Sequence, residues 1–140
     1  MSESLYNDAI VAAARDRSHA GRLDKPDRSV TRDNPLCGDR VTLDLGTNGQ
    51  HVHAIAHKTR GCLLTEAAAA LLAKHLSDAG AEVHPELGRQ VRTWLEQGGS
   101  PPWPELAVFE PVRAVRSRHE CVLLPFEALA EALTGTDQSA

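Results

Sequence analysis

Two stretches of the chain alternate polar and apolar residues with a period of two. Residues 40–45, RVTLDL, predict a half-buried strand. Residues 51–59, HVHAIAHKT, predict a second, with Val52, Ala54 and Ala56 set against His53, Ile55 and His57. Asn48-Gly49 between them is a strong hairpin signal. The two segments should therefore pair antiparallel, joined by a third strand from elsewhere.

Helical spacing dominates the rest. Leu5, Ile10, Val11 and Ala14 form one stripe of an amphipathic helix over 4–18, with Ser4 as its N-cap. Residues 62–79, CLLTEAAAALLAKHLSDA, predict a strong helix whose buried side is Leu63, Leu64, Leu71, Leu72 and Leu76 and which stops at Gly80. Residues 85–97 predict another, with Val91, Trp94 and Leu95 inward. A last short helix is expected over 126–133, with Pro125 near its first turn. Residues 19–35 read as an irregular charged connection containing Gly21, Pro26 and Pro35. Residues 98–104 read as a proline-rich bend, and 108–115 show no decisive period. Strands in the first half and helices in the second make an α+β layout: a small antiparallel sheet of about three strands packed against several helices. A single domain is expected over residues 1–140, with 1–3 and 135–140 disordered.

Composition narrows the function classes. A chain of 140 residues, 41% hydrophobic and 24% charged, is an ordinary soluble globular domain. It has no apolar run long enough to cross a bilayer and no signal-peptide pattern at its start, so a cytoplasmic location without membrane contact is expected. The basic run Arg15, Arg17, Arg22, Lys25, Arg28 and Arg32 is diluted by Asp16, Asp24 and Asp27. Aromatic residues are only 4% of the chain, which argues against nucleic-acid binding. The run reads as a solvated loop.

The cysteines change the picture. Their number, three, excludes a full disulfide framework and leaves buried packing, metal ligation or thiol chemistry. Each is predicted at an element boundary: Cys37 before the first strand, Cys62 between the second strand and a helix, Cys121 before the last helix. The hairpin would bring Cys37 and Cys62 to one end of the sheet. Three thiolates and Asp39 would make four ligands, suited to tetrahedral zinc or a partly exposed iron–sulphur cluster. Spacing alone leaves these readings open.

NPLCGDRV, TRGCLLTEAAAALLAKHL and RHECVLLPFEALAEAL, taken in order, resemble the IscU/SufU/NifU-N-terminal family of iron–sulphur assembly proteins. LYNDAIVAAARDRSHAG is similar to that family's first helix, so the likeness covers almost the whole chain. The long interval from Cys62 to Cys121 resembles the SufU branch. So does Glu120 in the place where the IscU branch carries histidine, with Arg118 where SufU-like proteins have arginine. Two features depart from the family pattern: the helix after Gly61-Cys62 lacks serine and carries Glu66, and Pro125-Phe126 replaces a small residue and tryptophan.

The resemblance implies a protein that binds Zn2+ through Cys37, Asp39, Cys62 and Cys121 and accepts persulphide sulphur from a SufS-like cysteine desulphurase, activating it. Cys37 is then the sulphur acceptor, with Asp39 beside it. The chain would act as a partner rather than a stand-alone enzyme, with downstream iron–sulphur assembly proteins as further partners. The alternative is a non-enzymatic scaffold that holds an iron–sulphur cluster on the same ligands and passes it on. His119 is an auxiliary candidate, as replacement ligand or proton carrier near neutral pH, and Arg118 accompanies it. His51, His53 and His57 are expected on a solvated sheet face, and His19, His75 and His84 at the surface.

Overall fold

The computed structural model describes residues 7–35, 38–48, 51–79 and 86–134. The elements run α1 (Asp8–Ala14), β1 (Arg28–Asn34), β2 (Asp39–Asn48), β3 (His51–Arg60), α2 (Leu63–Ala79), α3 (Leu87–Gln97), 3-10 segments at Pro104–Ala114 and Arg116–Arg118, and α4 (His119–Thr134). The three strands form one antiparallel sheet in the order β1-β2-β3. With helices packed against it, this is the α+β architecture expected.

The predicted hairpin is present. Leu45 stands opposite Ile55, Leu43 opposite His57 and Val41 opposite Thr59, with a register shift at Gly46/Thr47. Paired residues share a face, so Val41, Leu43 and Leu45, all fully buried, define the side of the sheet that receives the helices. Gly49 lies outside the described residues.

The third strand is β1, from the segment read as irregular. Its sequence, RSVTRDN, is polar and mostly exposed, and only Val30 among its apolar residues reaches the core. Its place is secured by β2, from Arg28 opposite Leu45 to Asn34 opposite Asp39, and by Arg32, which reaches Glu131 of α4 at 2.9 Å.

Two helices differ from the expectation, and one undecided stretch takes a definite form. α1 stops at Ala14 rather than at 18, and Asn7 caps the described helix, accepting from the Ile10 amide at 2.9 Å. Ser4 lies outside the described residues. The helix ends at Ala14, and Asp16 then folds onto the amide and hydroxyl of Ser18. The undecided stretch 108–115 falls largely in the 3-10 segment Pro104–Ala114, whose buried residues are Leu106, Phe109 and Val112. Their spacing of three is the 3-10 repeat, not the α-helical one.

The last helix is the largest revision. It begins at His119, so Cys121 and Pro125 lie inside it rather than before it. Proline in a helix lacks the amide that would bond the carbonyl four residues back, here that of Cys121, and costs about 3 kcal/mol. Burial outweighs it: Val122, Leu123, Leu124, Phe126, Ala128 and Leu129 are all almost completely enclosed, each such large apolar side chain contributing about 1.5–3 kcal/mol. α2 packs equally closely through Leu64, Ala67, Ala68, Leu72 and Ala73. α3 spans Leu87–Gln97, with Val91, Trp94 and Leu95 inward as expected; Pro85 and Gly80 lie outside the described residues. In the proline-rich bend, Trp103 stacks on His75 at 3.7 Å between ring centroids, so His75 is half-buried rather than at the surface. No described helix is long and apolar enough to cross a membrane.

Candidate metal centre

The end of the sheet where β1 turns into β2 meets the N-termini of α2 and α4. Asp39 opens β2, Cys62 sits between β3 and α2, and Cys121 lies in the first turn of α4. Distant in sequence, these residues bring one ligand atom each to within 4.8 Å of one another. Asp39 is 3% and Cys121 2% exposed, while Cys62 is half-buried. A buried carboxylate beside one buried and one half-buried sulphur is an arrangement apolar packing does not require.

Asp39 is the pivot. The Cys62 amide donates to its Oδ1 at 3.1 Å, so the carboxylate satisfies an otherwise unpaired donor at the start of α2. The Thr65 hydroxyl donates to Oδ2 at 2.7 Å, and the Cys62 thiol approaches the same oxygen at 3.7 Å. Thr65 is fully buried and its Oγ1 lies 3.5 Å from Cys62 Sγ, so it braces both groups. Gly61 makes the approach feasible: a Cβ there would lie 2.7 Å from Asp39 Cγ. Gly38, with φ +76°, adopts the left-handed conformation on the other side of Asp39.

The electrostatics favour a thiolate. The Cys62 thiol is held down to about 6, first by a hydrogen bond with Cys121, with Thr65 assisting. Burial and the Asp39 charge push the other way. The donor set fits a thiophilic divalent metal. Zinc–sulphur bonds of about 2.3 Å and zinc–oxygen bonds of about 2.1 Å in a tetrahedron place neighbouring donors roughly 3.4–3.8 Å apart. The Cys62–Asp39 separation of 3.7 Å lies in that range.

The remaining anticipated residues divide. Cys37 lies outside the described residues, in the connection between Pro35 and Gly38. His119 opens α4 and is buried, with Nε2 3.0 Å from the Arg113 carbonyl, and is not among the three clustered donors. Arg118 ends the 3-10 turn before α4 and is half-buried. Glu120 is turned to Arg92 of α3 at 2.8 Å, an arginine that also holds Glu127. His53 is exposed as expected, but His57 is buried, which corrects its placement on a solvated face. It shares the core side of the sheet with Leu43, directly opposite. His19 is half-buried, and His84 lies outside the described residues. Thr65 and Gly61 were not singled out from the sequence. A hydroxyl three residues after a helix-capping cysteine was the available signal.

Comparison with known proteins decides the family. The profile of the NifU-like N terminal domain matches residues 5–84. The chain belongs to that family. A nitrogen-fixing NifU-like protein (N-terminal) from Brucella abortus superposes with a TM-score of 0.83 at 27% identity, over 99% of each chain. A putative iron–sulfur cluster assembly scaffold protein for the SUF system, from the thermophile Fervidobacterium islandicum AW-1, gives the same TM-score at 20% identity, over 95% of this chain and 99% of that one. A hypothetical protein solved at 2.3 Å matches with a TM-score of 0.73 at 25% identity, over 93% and 97% of the two chains. The matched profile ends before Cys121, whereas the Brucella likeness extends over nearly the whole chain. No match is found among curated protein sequences.

Proposed function

We propose that this chain is a zinc-dependent sulphur acceptor that works with a SufS-like cysteine desulphurase in cytoplasmic iron–sulphur cluster assembly. The convergence of Asp39, Cys62 and Cys121 carries this reading. Cys37, two residues before Asp39 in the sequence, is proposed as the fourth ligand and the acceptor. Zinc would hold thiolates in deprotonated, protected form until a partner's ligand replaces one of them. Released Cys37 thiolate attacks the terminal sulphur of the desulphurase persulphide. A Cys37–sulphur bond forms, the persulphide S–S bond breaks, and its electron pair stays on the donor cysteine as thiolate.

Residues of this chain set up the step. Thr65 and the Cys62 amide hold Asp39 in place. The Cys62–Cys121 hydrogen bond favours thiolate in advance of metal. His119, with Nε2 on a backbone carbonyl, keeps Nδ1 as its nitrogen for an auxiliary role, and Arg118 borders it. Transfer is favoured over the scaffold role because Glu120, where the IscU branch carries histidine, is drawn towards Arg92 and contributes no nitrogen ligand.

The scaffold reading keeps one specific support: the Fervidobacterium protein, whose fold this chain shares, is named as an assembly scaffold of the SUF system. The deciding experiment measures metal and sulphide in protein purified without added metal, then alanine formation by the cognate desulphurase with and without it. Colourless zinc protein that stimulates turnover, with stimulation lost in Cys37→Ser while binding persists, is expected. Brown protein carrying iron and sulphide, without stimulation, would replace transfer by the scaffold role.

A further inference from the structure

Cys62 and Cys121 stand 59 positions apart in the chain, and both are free thiols. Cys62 immediately precedes α2, and Cys121 lies in the first turn of α4. Their sulphurs belong to the cluster whose ligand atoms all lie within 4.8 Å of one another, and the two thiols share a hydrogen bond. The neighbouring groups hold Cys62 Sγ at this place, with Thr65 Oγ1 at 3.5 Å and Asp39 Oδ2 at 3.7 Å. Two thiols already side by side have a further reaction open to them. A disulfide needs only that the sulphurs close to about 2.05 Å.

The two thiols differ in access. Cys62 is half-buried and follows the exposed Gly61, so a small oxidant arriving from water meets its sulphur first. Cys121 is 2% exposed, shielded until its neighbour has reacted. An accessible thiol beside a shielded one is the arrangement of an attacking and a resolving cysteine. Asp39 stays satisfied by the Cys62 amide and the Thr65 hydroxyl whatever the sulphurs do. The site therefore keeps its carboxylate in place through a change of sulphur chemistry.

Metal ligation and oxidation compete for the same sulphur lone pairs. A bound metal engages both thiolates and stands between them, which prevents the link. We propose that loss of the metal turns this pair into a reversible Cys62–Cys121 disulfide, with a peroxide as the oxidant. Cys62 thiolate attacks one peroxide oxygen: an S–O bond forms, the O–O bond breaks, and the hydroxide that leaves takes up a proton as water. Cys121 sulphur then attacks Cys62 sulphur, and the S–O bond breaks with release of the second water. Two thiols lose two electrons, peroxide gains them, and the two thiol protons end in the two waters. A dithiol reductant reverses the step by attacking the more accessible Cys62 sulphur, expelling Cys121 thiolate, and closing to its own disulfide as it frees Cys62.

The linked form offers no thiolate pair to a metal, so loading of the site follows the redox state of its surroundings. Transient disulfides of this kind are the ones expected in a reducing compartment. The inference concerns the thiols themselves and holds for both the transfer and the scaffold reading.

The test treats chelator-stripped protein with hydrogen peroxide, then maps peptides by mass and measures zinc uptake. The expected product joins the Cys62 and Cys121 peptides with loss of two hydrogens and takes up no zinc until a dithiol restores it. Zinc added before peroxide should prevent the link. Cys37→Ser should form it as the parent does, whereas Cys121→Ser should leave a sulphenic acid at Cys62, trapped by a 1,3-diketone. The linked protein should melt above the reduced metal-free protein, since closing so long an interval restricts the unfolded chain. A link that requires Cys37, oxidation of Cys62 to sulphinic acid without a link, or a lower melting temperature on linking would each overturn the proposal. So would undiminished zinc uptake by the linked form.

Discussion

The metal centre and the His57 cavity are two polar sites at neighbouring places on one sheet, and they resolve the cost of burying polar atoms in opposite ways. Around Asp39 the polar groups satisfy one another: amide, hydroxyl and thiol all converge on the carboxylate. The site is acidic and sulphur-rich, a donor set that suits a cation. Around His57 the charges are mixed, Arg17, Arg22 and Lys58 beside Glu66, and one ring nitrogen is left unmatched. A self-satisfied cluster is organised before its ligand arrives, whereas an orphaned ring nitrogen is a polar atom buried at a cost.

The sharpest way to break that comparison is to remove the sulphurs. Cys62→Ala with Cys121→Ala should abolish stable metal binding and lower the melting temperature of metal-loaded protein steeply. Zinc binding in small domains is worth on the order of 10 kcal/mol and is coupled to folding. Metal content by mass spectrometry and a thermal melt check this. Full occupancy in the double variant would remove these residues from the ligand set.

The two sites also titrate in different windows. His57 is neutral in the fold, at about 4 against an ordinary 6.5, so below pH 6.5 the unfolded chain takes up the proton first. Its contribution is present above pH 6.5 and lost as pH falls towards 4, up to about 3 kcal/mol. In metal-free protein the Cys62 contribution is present above about pH 9, its unfolded value, and lost as pH falls through about 6. Urea unfolding of metal-free protein from pH 9 to 4.5 should show stability declining through both windows. His57→Gln should flatten only the lower one, and Cys62→Ala only the upper.

A finer probe is Thr65→Val, which keeps shape and deletes the hydroxyl. It should cost about 2 kcal/mol, the value of a buried hydrogen bond to a charged group, and raise the Cys62 pKa. Thiol alkylation rates against pH would show the shift, and an unchanged profile would make Thr65 a packing residue only. The smallest effect belongs to Arg92→Ala. Its ion pairs with Glu120 and Glu127 are partly exposed, so the loss should be no more than about 1 kcal/mol. Sulphur transfer should persist, because Glu120 is not a ligand in the proposed mechanism.

Much of the fold was legible from residue order alone. Alternation in 40–45 and 51–59 reports a hairpin because period two is imposed by strand geometry itself. The leucine- and alanine-rich run after Cys62 announces α2 for the matching helical reason. The cysteine and aspartate motifs were equally visible, since their chemistry is in the side chains. Other features depend on neighbours distant in sequence. β1 is polar and strand-like only because β2 offers its backbone a ladder. Pro125 sits inside α4 because core packing outweighs a local preference that placed it at a helix start. His57 is buried because pairing in register with Leu43 turns it inward. The meeting of Asp39, Cys62 and Cys121 depends on α4 beginning where β2 starts and β3 ends, a long-range juxtaposition that no local periodicity encodes.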